Sequence, residues 1–333
     1  MRALVTGGGG FLGGAIVRRL RERGDAVVSL ARGDYPALRA LGVETVQADM
    51  ADVDAVKAAA EGCDVVFHVA AKAGDWGSYE SFFHPNVTGT HSVLAVCQAL
   101  GIPRLVYTST PSVVHAGGDI EGGDNTMPIP EHFDGFYPAT KAMAEREVLA
   151  ANAPAFATLS LRPHLVWGPG DNNLGPRIVA RARAGRLRLV RAPGKQVDAC
   201  YIDNAVDAHL LAAERLAPGA ACAGKAYFVT NDEPMSTAAL INGMLRAAGE
   251  PPCTREVSPG LAYALGAVAE WAWRLLPLAG EPPMTRFLAR QLATSHWYDI
   301  TATREDLGYT PRVSTAEGME RLARAWRAGG LGR

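Results

Sequence analysis

The sequence has no cluster of cysteines. Its five, Cys63, Cys97, Cys200, Cys222 and Cys253, are scattered and odd in number, with no CxxC pair and no Cys/His group at metal-ligand spacing. A disulfide scaffold is excluded and no metal site is expected. Charge of one sign is also lacking: a formal net charge of -1 gives no field to draw in nucleic acid or an anionic surface. No long apolar run is uninterrupted. The greasiest stretch, Leu261 to Gly280, contains Glu270, Arg274 and Pro277 and falls short of the ~20 clean residues that a spanning helix needs. The first residues read as a strand and a glycine turn rather than as a cleavable signal. A cytoplasmic chain with a small-molecule partner is expected, with no nucleic-acid partner and no transmembrane segment.

What is present is a regular alternation. Over the first 160 residues, short apolar runs (Ala3 to Thr6, Ala26 to Ala31, Glu44 to Gln47, Val65 to Val69, Arg104 to Ser109, Ala157 to Arg162) alternate with amphipathic stretches (Phe11 to Arg23, Val53 to Ala60, Val87 to Leu100, Tyr137 to Ala150). That pattern predicts an α/β fold of the Rossmann type, a doubly wound parallel sheet. Beyond it the pattern loosens, with helices expected near Asn204 to Leu216, Thr237 to Ala248, Leu261 to Leu276 and Thr315 to Arg327. We therefore expect a dinucleotide-binding domain over 1–165. A smaller substrate-binding region over 166–333 would send some segments back to the first.

The first strand runs straight into Thr6-Gly7-Gly8-Gly9-Gly10-Phe11-Leu12-Gly13. Glycines between a strand and a helix permit a tight turn and let backbone N–H groups approach a pyrophosphate, while the helix N-terminus favours its charge. Gly7, Gly10, Phe11, Leu12 and Gly13 are thus candidate cofactor contacts. An enzyme selective for NAD(H) would place an acid at the end of the second strand. This chain has Arg32 there, whose planar fork suits a 2′-phosphate, so NADP(H) is favoured over NAD(H); against this, Arg32 is simply a solvated strand end, with Asp34 nearby. Asp49, followed by Met50, is a candidate acceptor for the adenine amino group, or else Asp49 or Asp52 is the N-cap of the next helix.

Tyr137 and Lys141 stand four apart, which on a helix stacks them on one face. A phenol has a pKa near 10, and a neighbouring ammonium favours its ionised form, so Tyr137 is a candidate acid/base and Lys141 its partner. The pair gains weight from its order in the chain, after the cradle and after a strand ending in Tyr107-Thr108-Ser109-Thr110-Pro111-Ser112. A hydroxyl there can hold a carbonyl oxygen; Thr110 is the choice, with Ser109 and Ser112 as supports.

At this point the residues resemble the extended short-chain dehydrogenases over essentially the whole chain. Thr6 to Gly13, Ala70-Ala71, Asn86-Val87-Thr88-Gly89-Thr90, Leu161-Arg162-Pro163, Trp167-Gly168-Pro169-Gly170 and Tyr201-Ile202-Asp203-Asn204 carry the likeness. It implies that Asn86 supports the active site, and that Ala70 and Pro163 lie against the cofactor. Within that superfamily the chain is similar to the 3β-hydroxysteroid dehydrogenase branch. Ala71 to Tyr79, Tyr107 to Val113, Glu281 to Leu288 and His296-Trp297-Tyr298 resemble more closely the bacterial reductases of long-chain olefin biosynthesis. That likeness implies NADPH-dependent reduction of a β-keto acid with two alkyl arms. The family commonly has Ser where Thr110 stands and often Asp where Ala31 stands.

The alternatives are a sterol dehydrogenase, a non-catalytic NADP-binding sensor or scaffold, and a nucleotide-sugar epimerase. Leu261 to Leu278, with Trp271 and Trp273, would wall an apolar tunnel, rest on a membrane surface or pack as core. The run Arg177, Arg181, Arg183, Arg186, Arg188, Arg191 and Lys195 reads as a solvated face, one member of which would bind carboxylate or 2′-phosphate. His68, His164 and His296 are expected to be structural. The superfamily implies a homodimer through Val87 to Leu100 and Tyr137 to Ala150, and a multi-enzyme assembly is compatible with it.

Overall fold

A computed structural model describes residues 1–276 and 278–329; Pro277 and the last four residues of the expected second region, 330–333, lie outside the described residues. The core of the molecule is a seven-stranded, all-parallel sheet. Its order across the sheet is Ala226–Val229, Ala157–Pro163, Arg104–Thr108, Val65–His68, Arg2–Thr6, Ala26–Ala31, Glu44–Gln47. Strands of such a sheet are covered on both faces and so can be apolar without alternation. Ala3 and Val5 face one core and Leu4 the other, all fully buried. Helices Phe11–Glu22 and Ile202–Arg215 cover the first face; Val53–Ala60, Gly89–Leu100 and Phe136–Ala150 cover the second.

The chain order reverses between Arg2–Thr6 and Val65–His68, which are neighbours in the sheet. A crevice opens beyond the carboxyl ends of strands at such a point, and ligands bind there. Glycine freedom is needed at that place. Gly7 has φ +71, and a Cβ on it would sit 2.8 Å from Ala70 Cα, at the exit of the neighbouring strand.

Several elements were not expected, helices Leu174–Arg183, Arg286–Ala293 and Thr301–Leu307 among them, and two departures bear on the central sheet and the site. The helix expected from Val87 begins earlier, as a π-helical turn over His84–Thr88 that passes into Gly89–Leu100. The seventh strand, Ala226–Val229, had no expectation at all, although all four residues are buried. It brings the second half of the chain back to the edge of the central sheet.

Helix Pro259–Leu275 sits over the carboxyl side of the sheet and packs on helix Arg286–Ala293. Gly266 makes this contact close: a Cβ there would lie 2.7 Å from Thr285 C. The helix is neither pure core nor pure surface. Glu270, Trp273 and Arg274 face a cavity, while Leu261, Leu265, Val268, Trp271 and Leu275 form an exposed stripe on the other side. Among the described residues no helix is long and apolar enough to cross a membrane.

Candidate active site

The glycine loop leads into helix Phe11–Glu22, whose N-cap, Gly10, supplies no side-chain cap and whose first turn carries no acid. The positive end of the helix is thus not offset by a capping side chain or an acid of its own first turn. The loop is also too tight for side chains. A Cβ on Gly13 would lie 2.2 Å from Gly7 O, and one on Gly8 2.3 Å from Ser29 Oγ. Gly9, unlike the expected contacts, is covered by the Tyr35 ring, 2.1 Å from where its Cβ would be. This is backbone shaped to take a phosphate group at close range, and a dinucleotide fits it.

Around that cradle the other expected contacts fall as follows. Ala70 lies against Gly7. Phe11 and Leu12 form the first turn of the helix and are half-buried, with Phe11 close to Gly170. Met50 is buried against Gly89, and Pro163 ends its strand. Arg32 is exposed just past the second strand, and its carbonyl accepts from Gln47 Nε2 at 3.0 Å. Asp34 is engaged in an ion pair with Arg39. The helix cap goes to Asp52, which accepts from Ala55 N at 3.1 Å; Asp49 instead accepts from Ala51 N at 2.9 Å and stands 3.5 Å from His84 Nε2.

Helix Phe136–Ala150 carries the expected pair. Pro138 falls in its first turn, where no backbone donor is lost. Tyr137 is half-buried on a cavity wall. Burial pushes its phenol above the ordinary value, and the Thr110 hydroxyl acts in the opposite direction. Lys141 is buried with its ammonium donating to Thr108 O at 2.7 Å and 4.1 Å from the Tyr107 ring centroid. Burial drives its pKa down to about 7, with Glu145 one turn on pulling it up. A lysine poised there exchanges its charge near neutral pH. Thr110 also accepts from Ser112 N at 3.3 Å at the head of the short 3₁₀ turn Pro111–Val114. Ser109 Oγ is buried without a partner among the described residues.

Asn86 lies in the π-helical turn, and such turns recur at functional sites. Its Oδ1 accepts from Lys72 N at 2.8 Å, and its Nδ2 donates to Lys72 O at 3.1 Å and to Thr140 Oγ1 at 3.0 Å. One side chain thus ties the loop after the fourth strand to Thr140, the residue just before Lys141.

A second chain of bonds went unforeseen. Ala70 N donates to Thr6 Oγ1, Thr6 lies 2.8 Å from His68 Nδ1, His68 Nε2 lies 2.9 Å from Thr90 Oγ1, and Thr90 donates to Asn86 O at 2.7 Å. Because the Thr90 proton goes to Asn86 O, His68 Nε2 must carry the ring proton and Nδ1 must accept. Burial holds His68 neutral, with its pKa lowered to about 3. His164 and His296 are likewise buried and bonded, His164 to Asp198 at 2.5 Å and His296 to Gln291 O at 2.6 Å.

The cavity beside Tyr137 has a volume of about 580 Å³ and is walled by Trp76, Phe82, Phe133, Phe136, Trp273 and Phe287. Its aromatic wall suits an apolar molecule, and charged side chains on the same wall can fix that molecule's orientation. Of the basic run, Arg177, Arg183 and Lys195 pair with Glu281, Glu250 and Asp119, as surface charges do.

The sequence profile of the 3-beta hydroxysteroid dehydrogenase/isomerase family matches residues 4–256. Two bacterial proteins named 2-alkyl-3-oxoalkanoate reductase are similar over nearly their whole lengths. That of Stenotrophomonas maltophilia is 55% identical over 97% of this chain and 98% of its own. That of Shewanella oneidensis is 51% identical over 96% of this chain and 85% of its own. The fold also matches a solved UDP-glucose 4-epimerase of Thermus thermophilus in complex with NAD, with TM-score 0.75, 24% identity, and 99% and 100% of the two chains covered. With most of its length matched by the profile, this chain is an oxidoreductase of the extended short-chain dehydrogenase kind, dependent on a nicotinamide cofactor, and it belongs to the 3-beta hydroxysteroid dehydrogenase/isomerase family.

Proposed function

We propose that the chain reduces the ketone of a 2-alkyl-3-oxoalkanoate to the corresponding alcohol, reversibly, with NADPH as the favoured cofactor and in the service of long-chain hydrocarbon synthesis. The observation that carries the reading is the placing of Tyr137 on the wall of an aromatic cavity of about 580 Å³, in a chain more than half identical to a reductase of that name. Gly7, Gly10, Phe11, Leu12, Gly13, Met50, Ala70, Asn86, Lys141 and Pro163 would hold the cofactor, with Asp49 on the adenine side, and the chemistry it would supply is hydride transfer to or from the substrate carbon. In reduction Tyr137 gives its phenolic proton to the developing alkoxide while Thr110 donates a hydrogen bond to the same oxygen. Lys141, when charged, stabilises the phenolate that remains.

The Arg32 side chain forms no ion pair among the described residues while Asp34 is paired with Arg39, which supports a 2′-phosphate contact. Residues 1–165 form the dinucleotide-binding domain, and the substrate-binding region 166–333 contributes Glu270, Trp273, Arg274, Arg286 and Phe287 to a cavity whose other wall belongs to the first domain, in a cytoplasmic homodimer formed through Val87 to Leu100 and Tyr137 to Ala150. The sterol reading draws on the family profile, and the two readings are separable. Purified protein is given NADP⁺ or NAD⁺ with a long-chain 2-alkyl-3-hydroxy acid beside a 3β-hydroxysteroid, and cofactor absorbance is followed for the native chain and for Tyr137→Phe. Turnover of the acid, lost by a factor of about 10²–10⁴ in the variant, is expected. Turnover of the steroid alone refutes the proposal. Arg32→Ala should lower kcat/KM for NADP⁺ about 10- to 100-fold and leave NAD⁺ unchanged.

A further inference from the structure

The charged side chains on the cavity wall are Asp75, Asp134, Glu270, Arg274 and Arg286. Four of them are committed. Glu270 accepts from Arg286 N at 2.7 Å and Nε at 2.9 Å, pinning the start of helix Arg286–Ala293. Asp134 pairs with Arg290, and Asp75 accepts the Thr285 hydroxyl at 2.7 Å. Arg274 forms no ion pair among the described residues; its guanidinium lies 5.9 Å from the centroid of the Trp76 ring, which lines the same cavity.

We infer that Arg274 is the specificity-determining residue of this cavity, holding a carboxylate of the bound molecule at the mouth while Tyr137 addresses the neighbouring oxygen. A planar guanidinium resting on an aromatic face keeps its edge free for a bidentate carboxylate contact. Its place in the last turn of helix Pro259–Leu275 leaves it exposed, so the ligand's charge stays at the rim while its hydrocarbon enters the aromatic interior. The basic run between Arg177 and Lys195, where a carboxylate contact was expected, contributes no residue to the cavity wall. The inference rests on the β-keto acid reading for the identity of the anion.

The test measures binding apart from turnover. With the cofactor-saturated protein, the affinity for a long-chain 2-alkyl carboxylic acid and for its methyl ester is titrated calorimetrically in the native chain, Arg274→Gln and Arg274→Lys, with circular dichroism as a check on folding. The expected result is a roughly 5- to 30-fold loss of acid affinity in Arg274→Gln with the ester unmoved, and partial recovery in Arg274→Lys. Equal losses for acid and ester, or no loss for either, overturn it. If Arg274-dependent acid binding is seen but the 2-alkyl-3-hydroxy acid is not turned over, the anion site stands and the proposed reaction falls. If the hydroxy acid is turned over with an unchanged KM in Arg274→Gln, the reaction stands and the site falls.

Discussion

Replacing Lys141 by methionine should destroy activity and stabilise the protein, and the two effects have one cause. The ammonium is buried against Thr108 O and the Tyr107 ring, and its pKa falls from 10.5 to about 7. The folded state thus disfavours the charge that the unfolded chain carries freely. Below pH 7 the fold bears the full penalty, on the order of 5 kcal/mol for that gap. As pH rises from about 7 towards 10.5 the folded lysine is neutral while the unfolded one still binds its proton, so stability climbs with pH through that window. Methionine removes the penalty and forfeits one hydrogen bond, worth about 1 kcal/mol. Thermal unfolding of the cofactor-free protein at pH 6 should therefore shift up by a few degrees, and the rise in stability across pH 7 to 10 should flatten.

Activity moves the other way. At the spacing of residues four apart on a helix, a full charge on Lys141 favours the Tyr137 phenolate by roughly 2 to 3 kcal/mol. Without it, the apparent pKa for alcohol oxidation should rise by about 2 units, a loss on the order of 100-fold near neutral pH. Stopped-flow oxidation rates across pH, read beside calorimetric scans, measure both. A variant with an unmoved pH midpoint and an unmoved stability profile would refute the argument.

Other consequences follow from single groups. Thr110→Val removes the hydroxyl proposed to hold the carbonyl oxygen and should lower kcat by about 10²–10³-fold, whereas Ser109→Ala deletes a buried hydroxyl without a partner among the described residues and should leave kcat unchanged and stability equal or higher, by denaturant unfolding. Asn86→Ala strips three bonds from Lys72 and Thr140 and should cost about 2–4 kcal/mol of unfolding free energy together with kcat. Gly13→Ala forces a Cβ towards Gly7 O and should abolish measurable cofactor affinity in a titration while costing about 1–3 kcal/mol of stability.

Much of the scaffold was legible because its signals are local. Strands Ala26–Ala31 and Glu44–Gln47 and helix Val53–Ala60 fall where apolar runs and amphipathic spacing put them. Strand Ala226–Val229 was not legible: four apolar residues look alike whether they form a strand, a turn of helix or a packed loop, and what makes them a strand is the pairing of Tyr227 with Leu161 far back in the chain. The π-helical turn at His84–Thr88 was hidden for a related reason, since Asn86 within it bonds to Lys72 and Thr140, which lie 14 and 54 positions away. The choice between Asp49 and Asp52 as helix cap depended on which carboxylate faces the free N–H groups.

By itself the sequence determined the class of fold, the glycine cradle and the helix that stacks Tyr137 beside Lys141, because each rests on residues close in the chain. Tertiary structure alone decided the rest. It set the protonation of His68 through partners 22 and 62 positions away, the lowered pKa of Lys141 through burial, and the company of Trp76, Tyr137, Arg274 and Phe287 around one cavity. Desolvation, hydrogen-bond partners and enclosure are properties of what surrounds a residue in space, and sequence spacing does not record them.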